Sequence, residues 1–146
     1  AYDFTSEFHV YDSFMGLPEK TQADNSAAGE QFKAGELLAP RKTFIQNFKK
    51  ADLKIPTIHK GWFADSTPKD VPESIIFAFF DGDFYESIAD SFRLCDGKFQ
   101  ETATIIVDDY ANEALPGAAR AVDEWLKRHP ARASRTESSL AIIHIL

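Results

Sequence analysis

The chain has 146 residues and little sulfur, with one cysteine, Cys95, and one methionine. A lone cysteine excludes an internal disulfide and fits a reducing compartment. Cys95 lies on the apolar face of an expected helix, where a thiol is an inert core group rather than a nucleophile. His9, His59, His129 and His144 are scattered and form no zinc-like spacing, so each reads as a structural or surface group. Seven glycines contain no G-x-G pair. Without a Gly-rich loop or a placed lysine to cradle a phosphate, phosphoryl transfer loses its main support. Positive charge is scarce as well. The 16 Lys and Arg face 23 Asp and Glu, a formal net charge of −7, which argues against a nucleic-acid backbone or an anionic membrane as the main partner. No apolar run approaches a membrane span, and no signal-peptide pattern, repeat or low-complexity segment stands out. These absences together lead to the expectation of a cytoplasmic protein.

What is present is a core. Hydrophobic residues make up 44% of the chain and aromatics 13%, including 13 Phe. That is enough to bury a real interior, and the length predicts one domain over residues 1–146. The densest information lies in residues 74–110. An apolar run at 74–80 ends in Asp81-Gly82-Asp83, and a second strand is expected at 102–108, where Thr104-Ile105-Ile106-Val107 runs into Asp108-Asp109-Tyr110. The run at 74–80 is continuous rather than alternating, which predicts burial on both faces, as in a parallel sheet covered by helices.

Around these runs the chain alternates. Residues 8–11 read as a strand ending at Asp12-Ser13-Phe14, and 57–63 as a second strand and its exit. Residues 19–39 are polar and without a sustained period; a loop of that length suits an active-site lid. Pro40 opens a helix, along which Phe44, Phe48 and Ala51 recur at helical spacing. Residues 64–73 form a connection with room for a short helix. Tyr85, Ile88, Ala89, Phe92, Cys95 and Phe99 form one helix stripe. Asp83-Phe84-Tyr85-Glu86 has capping-box spacing with Asp83 in the cap role. Pro116 opens a helix whose buried face is Ala118, Ala121, Val122 and Trp125. Residues 132–136 read as an edge strand and 140–146 as the final strand. The order β-α-β-(α)-β-α-β-α-(β)-β predicts a doubly wound, mostly parallel α/β sheet with helices on both faces. In such sheets ligands sit outside the carboxyl ends of the strands, where Asp12, Gly61, Asp81, Asp83, Asp108 and Asp109 all fall.

Carboxylates beside a core need compensation. Oxygen ligands select hard cations, Mg²⁺ first, with Mn²⁺ or Ca²⁺ as substitutes. Asp108 and Asp109 are adjacent, so both reach one ion only where the chain leaves strand geometry at about Asp108. A nearby free carboxylate would take a proton from a hydroxyl acidified by the cation. Plainer readings stand beside these. Asp83 caps the following helix, alone or with a catalytic role; Asp108 and Asp109 form a solvated turn; Asp12 starts a turn or holds ribose hydroxyls; Trp62 is a core side chain or an adenine wall.

Four motifs carry a resemblance. The segments 11–18 (YDSFMGLP), 60–63 (KGWF), 81–87 (DGDFYES) and 107–110 (VDDY) resemble, in order and spacing, the macrocin O-methyltransferase family, from about Phe8 to Trp125. These are S-adenosylmethionine- and Mg²⁺-dependent sugar O-methyltransferases of Rossmann-like fold. The resemblance implies that Asp81, Asp108 and Asp109 hold the metal and that Asp83 is the general base for the acceptor hydroxyl. It implies that Asp12 and Ser13 bind the cofactor, Asp12 at its ribose, with Gly61 and Trp62 near the adenine, and that 19–39 is a lid over a small-molecule acceptor. Such enzymes begin with a strand and a Gly-rich turn that receives the methionine end of the cofactor. Neither is found here, so the expectation is an N-terminally incomplete domain with a gap between the strands at 8–12 and 74–80. An open gap invites pairing, and a homo-oligomer is expected. The competing reading is a non-catalytic metal-binding or interaction module that keeps the fold; titration with S-adenosylmethionine distinguishes the two.

Overall fold

A computed structural model describes residues 6–129 and 133–146. Its strands are β1 (His9–Asp12), β2 (Thr57–Lys60), β3 (Ile75–Phe80), β4 (Phe99–Val107), β5 (Ala133–Glu137) and β6 (Leu140–His144). Its α-helices are α1 (Arg41–Lys50), α2 (Tyr85–Cys95) and α3 (Pro116–Arg128). The expected start of β5 at Arg132 lies outside the described residues.

The strands form two sheets. One pairs β1 with β2 in parallel; the other runs β3-β4-β6-β5, with β3 and β4 parallel and β6 antiparallel to both β4 and β5. Among the described residues no ladder joins β1 to β3, so the gap expected between them is present. The two sheets are held together by side chains reaching the 63–70 connection, which forms two 3₁₀ turns. The Tyr11 hydroxyl donates to Asp70 O at 2.8 Å, and the Arg93 guanidinium donates to Phe63 O at 3.2 Å.

The core sits between the larger sheet and helices α2 and α3. Alternation along β4 turns Ala103, Ile105 and Val107 inward. The α2 stripe buries Ile88, Phe92 and Cys95, and α3 buries Ala118, Ala121, Val122 and Trp125, as their spacing predicted, whereas Phe99, expected on the same helix stripe, opens β4 instead. Phe92 is the junction. It meets Phe80 of β3 edge-to-face, with centroids 5.1 Å apart, and stacks on Trp125 at 4.7 Å. Burial raises the Cys95 thiol to about 11, so it stays protonated and inert. Helix α1 has no buried residue and leans on the β1 side through aromatic contacts from Phe44 to Phe14 and from Phe48 to Phe8.

Two expectations are corrected. Strand β3 is not buried on both faces: Phe77 and Phe79 are 56% and 49% exposed. The strand lies at the edge of its sheet, so its continuous apolar run meets α2 only on the Phe80 side. Asp83 does not cap α2. The N-cap position falls on Phe84, which makes no side-chain cap bond.

Candidate active site

The carboxyl ends of β1, β2 and β3 open on one cleft of about 530 Å³. Asp12, Ser13, Gly61, Trp62, Asp81 and Asp83 all line it, which brings together the expected cofactor-side residues and two of the expected acids. Ser13 is buried, and its Oγ accepts the Met15 N–H at 3.0 Å. Asp12 starts the turn after β1 by accepting the Phe14 N–H on Oδ1 at 2.6 Å. Trp62 is half-buried at the cleft wall, so it is not a core residue.

Each acidic strand exit leaves extended geometry at once. Strand β4 ends at Val107, and Asp109 takes a left-handed backbone at φ 58°. The departure expected near Asp108 is therefore observed. Asp83 also has φ 58°, at the centre of a three-residue turn closed by the Phe84 N–H donating to Gly82 O at 2.6 Å. A left-handed non-glycine residue is strained, and such turns persist only where surrounding structure fixes them. The fixing here is visible. Phe84, one residue on, is 1% exposed and clustered with Leu17 and Leu115.

The turns bring one carboxylate oxygen each from Asp81, Asp83 and Asp109 within 4.8 Å of one another. Asp108 is directed elsewhere: its Oδ1 accepts the Asp109 N–H at 2.8 Å and the Ser139 hydroxyl at 3.4 Å. Asn112, three residues after Asp109, donates its Nδ2–H to Asp109 Oδ1 at 2.8 Å. Among the described residues no lysine or arginine forms an ion pair with Asp81, Asp83 or Asp109. The electrostatic result is mutual repulsion. Withdrawal from water, then the charges of Asp81, Asp109 and Asp108, raise Asp83 to about 7. Asp81 is raised too, by desolvation first and then by Asp108, Asp109 and Asp12, although its side chain sits at the exposed rim. Three hard oxygen donors with no counter-cation of their own fit Mg²⁺ or a similar ion.

Sequence reasoning missed Asp24. It is 1% exposed, and its Oδ1 accepts the Tyr85 N–H at the start of α2 at 2.6 Å. A signal was there, since Thr21-Gln22-Ala23-Asp24 has capping-box spacing. The structure forms that box, with Thr21 N–H and Oγ1–H both donating to Asp24 Oδ2. Asn112 and Ser139 carried no such signal, because they act on the acids only through the folded turn.

Residues 4–137 match the macrocin-O-methyltransferase (TylF) family. The chain belongs to that family. It is 30% identical over 123 residues to demethyldecarbamoylnovobiocin O-methyltransferase of Streptomyces niveus, a match over 80% of this chain and 45% of that protein. Among solved structures, the O-methyltransferase NovP superposes with a TM-score of 0.80 at 26% identity, over 95% of this chain and 60% of that one. The calicheamicin methyltransferase CalS11 superposes at 0.78 and 17% identity, over 94% and 60%, a likeness of fold alone. This family member thus has the methyltransferase α/β fold, and it spans less than half the length of its curated relative.

Proposed function

We propose that the chain is the metal-and-base portion of an S-adenosylmethionine- and Mg²⁺-dependent O-methyltransferase acting on a hydroxyl of a sugar or similar small molecule. The observation that carries this is the convergence of Asp81, Asp83 and Asp109 at the rim of a cleft whose other wall bears Asp12, Gly61 and Trp62. Asp81 and Asp109, with Asp108 beside them, hold the cation, and the Asp83 carboxylate is close enough to contribute one oxygen. Asp108 braces Asp109 through its backbone N–H and lies next to the same site. When bound, the cation supplies the positive charge that eases loss of the acceptor's proton, and S-adenosylmethionine supplies the methyl group. Asp83 receives the hydroxyl proton on the carboxylate oxygen it does not offer to the cation, from its place on the cleft wall. Asp12 and Ser13 orient the ribose side of the cofactor, and Trp62 offers a ring face to its base. The cleft's contribution is positioning, which counts for much of such a reaction.

The chain also reads as cytoplasmic and self-associating. Its one thiol is buried and protonated, and Phe77 and Phe79 stand exposed on an edge strand. No helix among the described residues is long and apolar enough to cross a membrane. The second reading is a non-catalytic module that keeps the fold. Calorimetric titration with S-adenosylmethionine, with and without Mg²⁺, separates the two. Binding tighter than about 1 mM is expected for the enzyme, and none at that level sinks it. Mg²⁺ binding that persists in an Asp108→Asn/Asp109→Asn double variant would refute the metal assignment.

A further inference from the structure

Asp24 lies outside the cleft, 59 residues before Asp83 in sequence, yet it touches the turn that presents Asp83. Helix α2 starts without a cap of its own, since Phe84 offers none. The first N–H of the helix, at Tyr85, donates instead to Asp24 Oδ1 at 2.6 Å, a short charge-assisted bond. The other carboxylate oxygen, Oδ2, accepts from Thr21 N at 2.9 Å and Thr21 Oγ1 at 2.8 Å. A buried charge is tolerated when its bonds are complete and oriented peptide dipoles face it. Asp24 has both, because it is also wedged against the first turn of α3. A Cβ on Gly117 would collide with Asp24 Oδ1, so only glycine at that helical position leaves room for the carboxylate.

The segment bearing Asp24 is itself fastened. Ser26 Oγ donates to Glu113 O at 2.7 Å, and a Cβ on Gly29 would strike Ala114 O. Asp24 is therefore held to the residues entering α3 and grips the start of α2. Two residues before that grip is Asp83, at φ 58° in its strained turn. The fastenings of the turn are Phe84 in its apolar cluster and Asp24 on the Tyr85 N–H.

We infer that Asp24 is a positioning residue: its bond to the Tyr85 N–H holds the left-handed turn that aims the Asp83 carboxylate at Asp81 and Asp109. It does not meet the reacting atoms. This rests on the reading of Asp83, Asp81 and Asp109 as one site, and the test separates the two ideas.

The test has one arm without metal and one with it. In solution NMR a left-handed residue gives a strong cross-peak between its own amide and Hα protons. Wild type should show that peak at Asp83, and Asp24→Ala should lose it together with hydrogen-exchange protection at the Tyr85 amide. Asp24→Asn keeps an oxygen for Tyr85 and should retain both signals. Retention of the Asp83 peak in folded Asp24→Ala overturns the inference whether or not the protein binds metal. Where Asp24→Ala does not fold, Asp24→Leu serves instead: it is close in size and offers no acceptor to the Tyr85 N–H. The same loss is expected and the same retention overturns the idea. In the second arm, Mn²⁺ binding is followed by water-proton relaxation. Asp24→Ala should weaken it about 10- to 100-fold, the usual cost of losing a residue that orients a ligand. In an Asp83→Asn background the same change should cause no further loss. Equal losses in both backgrounds overturn the inference while leaving the metal site standing. Wild type that binds no Mn²⁺ sinks the site reading and leaves the first arm to decide the role of Asp24.

Discussion

Asp83 combines a strained backbone, a crowd of like charges and a carboxyl raised to about 7. The consequence for stability has a definite sign. In metal-free protein the folded state keeps the Asp83 proton to about pH 7, whereas the unfolded chain releases it near the ordinary aspartate value of about 4. The folded state then binds more protons across that window, so its stability falls as pH rises from about 4 to about 7. Urea unfolding at pH 8 should find Asp83→Asn more stable than wild type by about 1–2 kcal/mol, after discounting for the water that still reaches the group. At pH 4 the two should match, and a variant less stable than wild type at pH 8 would contradict the crowding account. The acids were legible as residues, since they stand at strand ends in the sequence. Their partners were not, because Asn112 and Asp24 reach Asp109 and Tyr85 only through turns that exist after folding.

At the scale of elements, the exit from β3 into α2 is held by burial. Phe84 has 1% of its surface exposed, against Leu17 and Leu115. Phe84→Ala should cost about 3–5 kcal/mol of stability, read by chemical denaturation. A cost near zero would mean the turn is fixed by other means. The β1–β2 pair has a different dependence. His9 Nδ1 and His59 Nε2 share a hydrogen bond at 3.0 Å, and His59 stacks on Tyr11 with centroids 4.3 Å apart. Burial first, then His9, lowers His59, against a small opposing effect of Asp70. A histidine lowered on folding binds fewer protons than its unfolded form, so the stability it confers is lost as pH falls below about 6.5. Amide exchange across β1 and β2 should quicken below that pH, and His59→Gln should remove the dependence; unchanged exchange at pH 5.5 would refute it. Helix faces were legible here, because a stripe at three- and four-residue spacing defines which side is buried. The exposure of β3 was not, because a continuous apolar run does not reveal whether its strand is central or at an edge.

For the molecule as a whole, the two sheets and the cleft at their carboxyl ends lead to expectations about cations and copies. An ion bound only by the folded state stabilises it by about 2.7 kcal/mol at a concentration 100 times its dissociation constant. Saturating Mg²⁺ should therefore raise the melting temperature by about 5–10 °C. Asp109→Asn should abolish the gain, and an equal gain in that variant would place the ion elsewhere. Phe77 and Phe79 on the open edge strand should support self-association visible by light scattering. A Phe77→Lys/Phe79→Lys variant should run as a monomer, and an unchanged mass would move the contact to another face.

The alternation of strands and helices, the apolar faces of α2 and α3, and the acids at strand ends are all legible along the chain before it folds. Each of these is written in local spacing. Folding in three dimensions is what brings Asp83 within reach of Asp81 and Asp109 and sets Asp24, rather than Asp83, at the start of α2. The physical reason is that a side chain's aim depends on the turn behind it. The left-handed turns at Asp83 and Asp109 are fixed by packing and hydrogen bonds from segments distant in sequence, which no local pattern encodes.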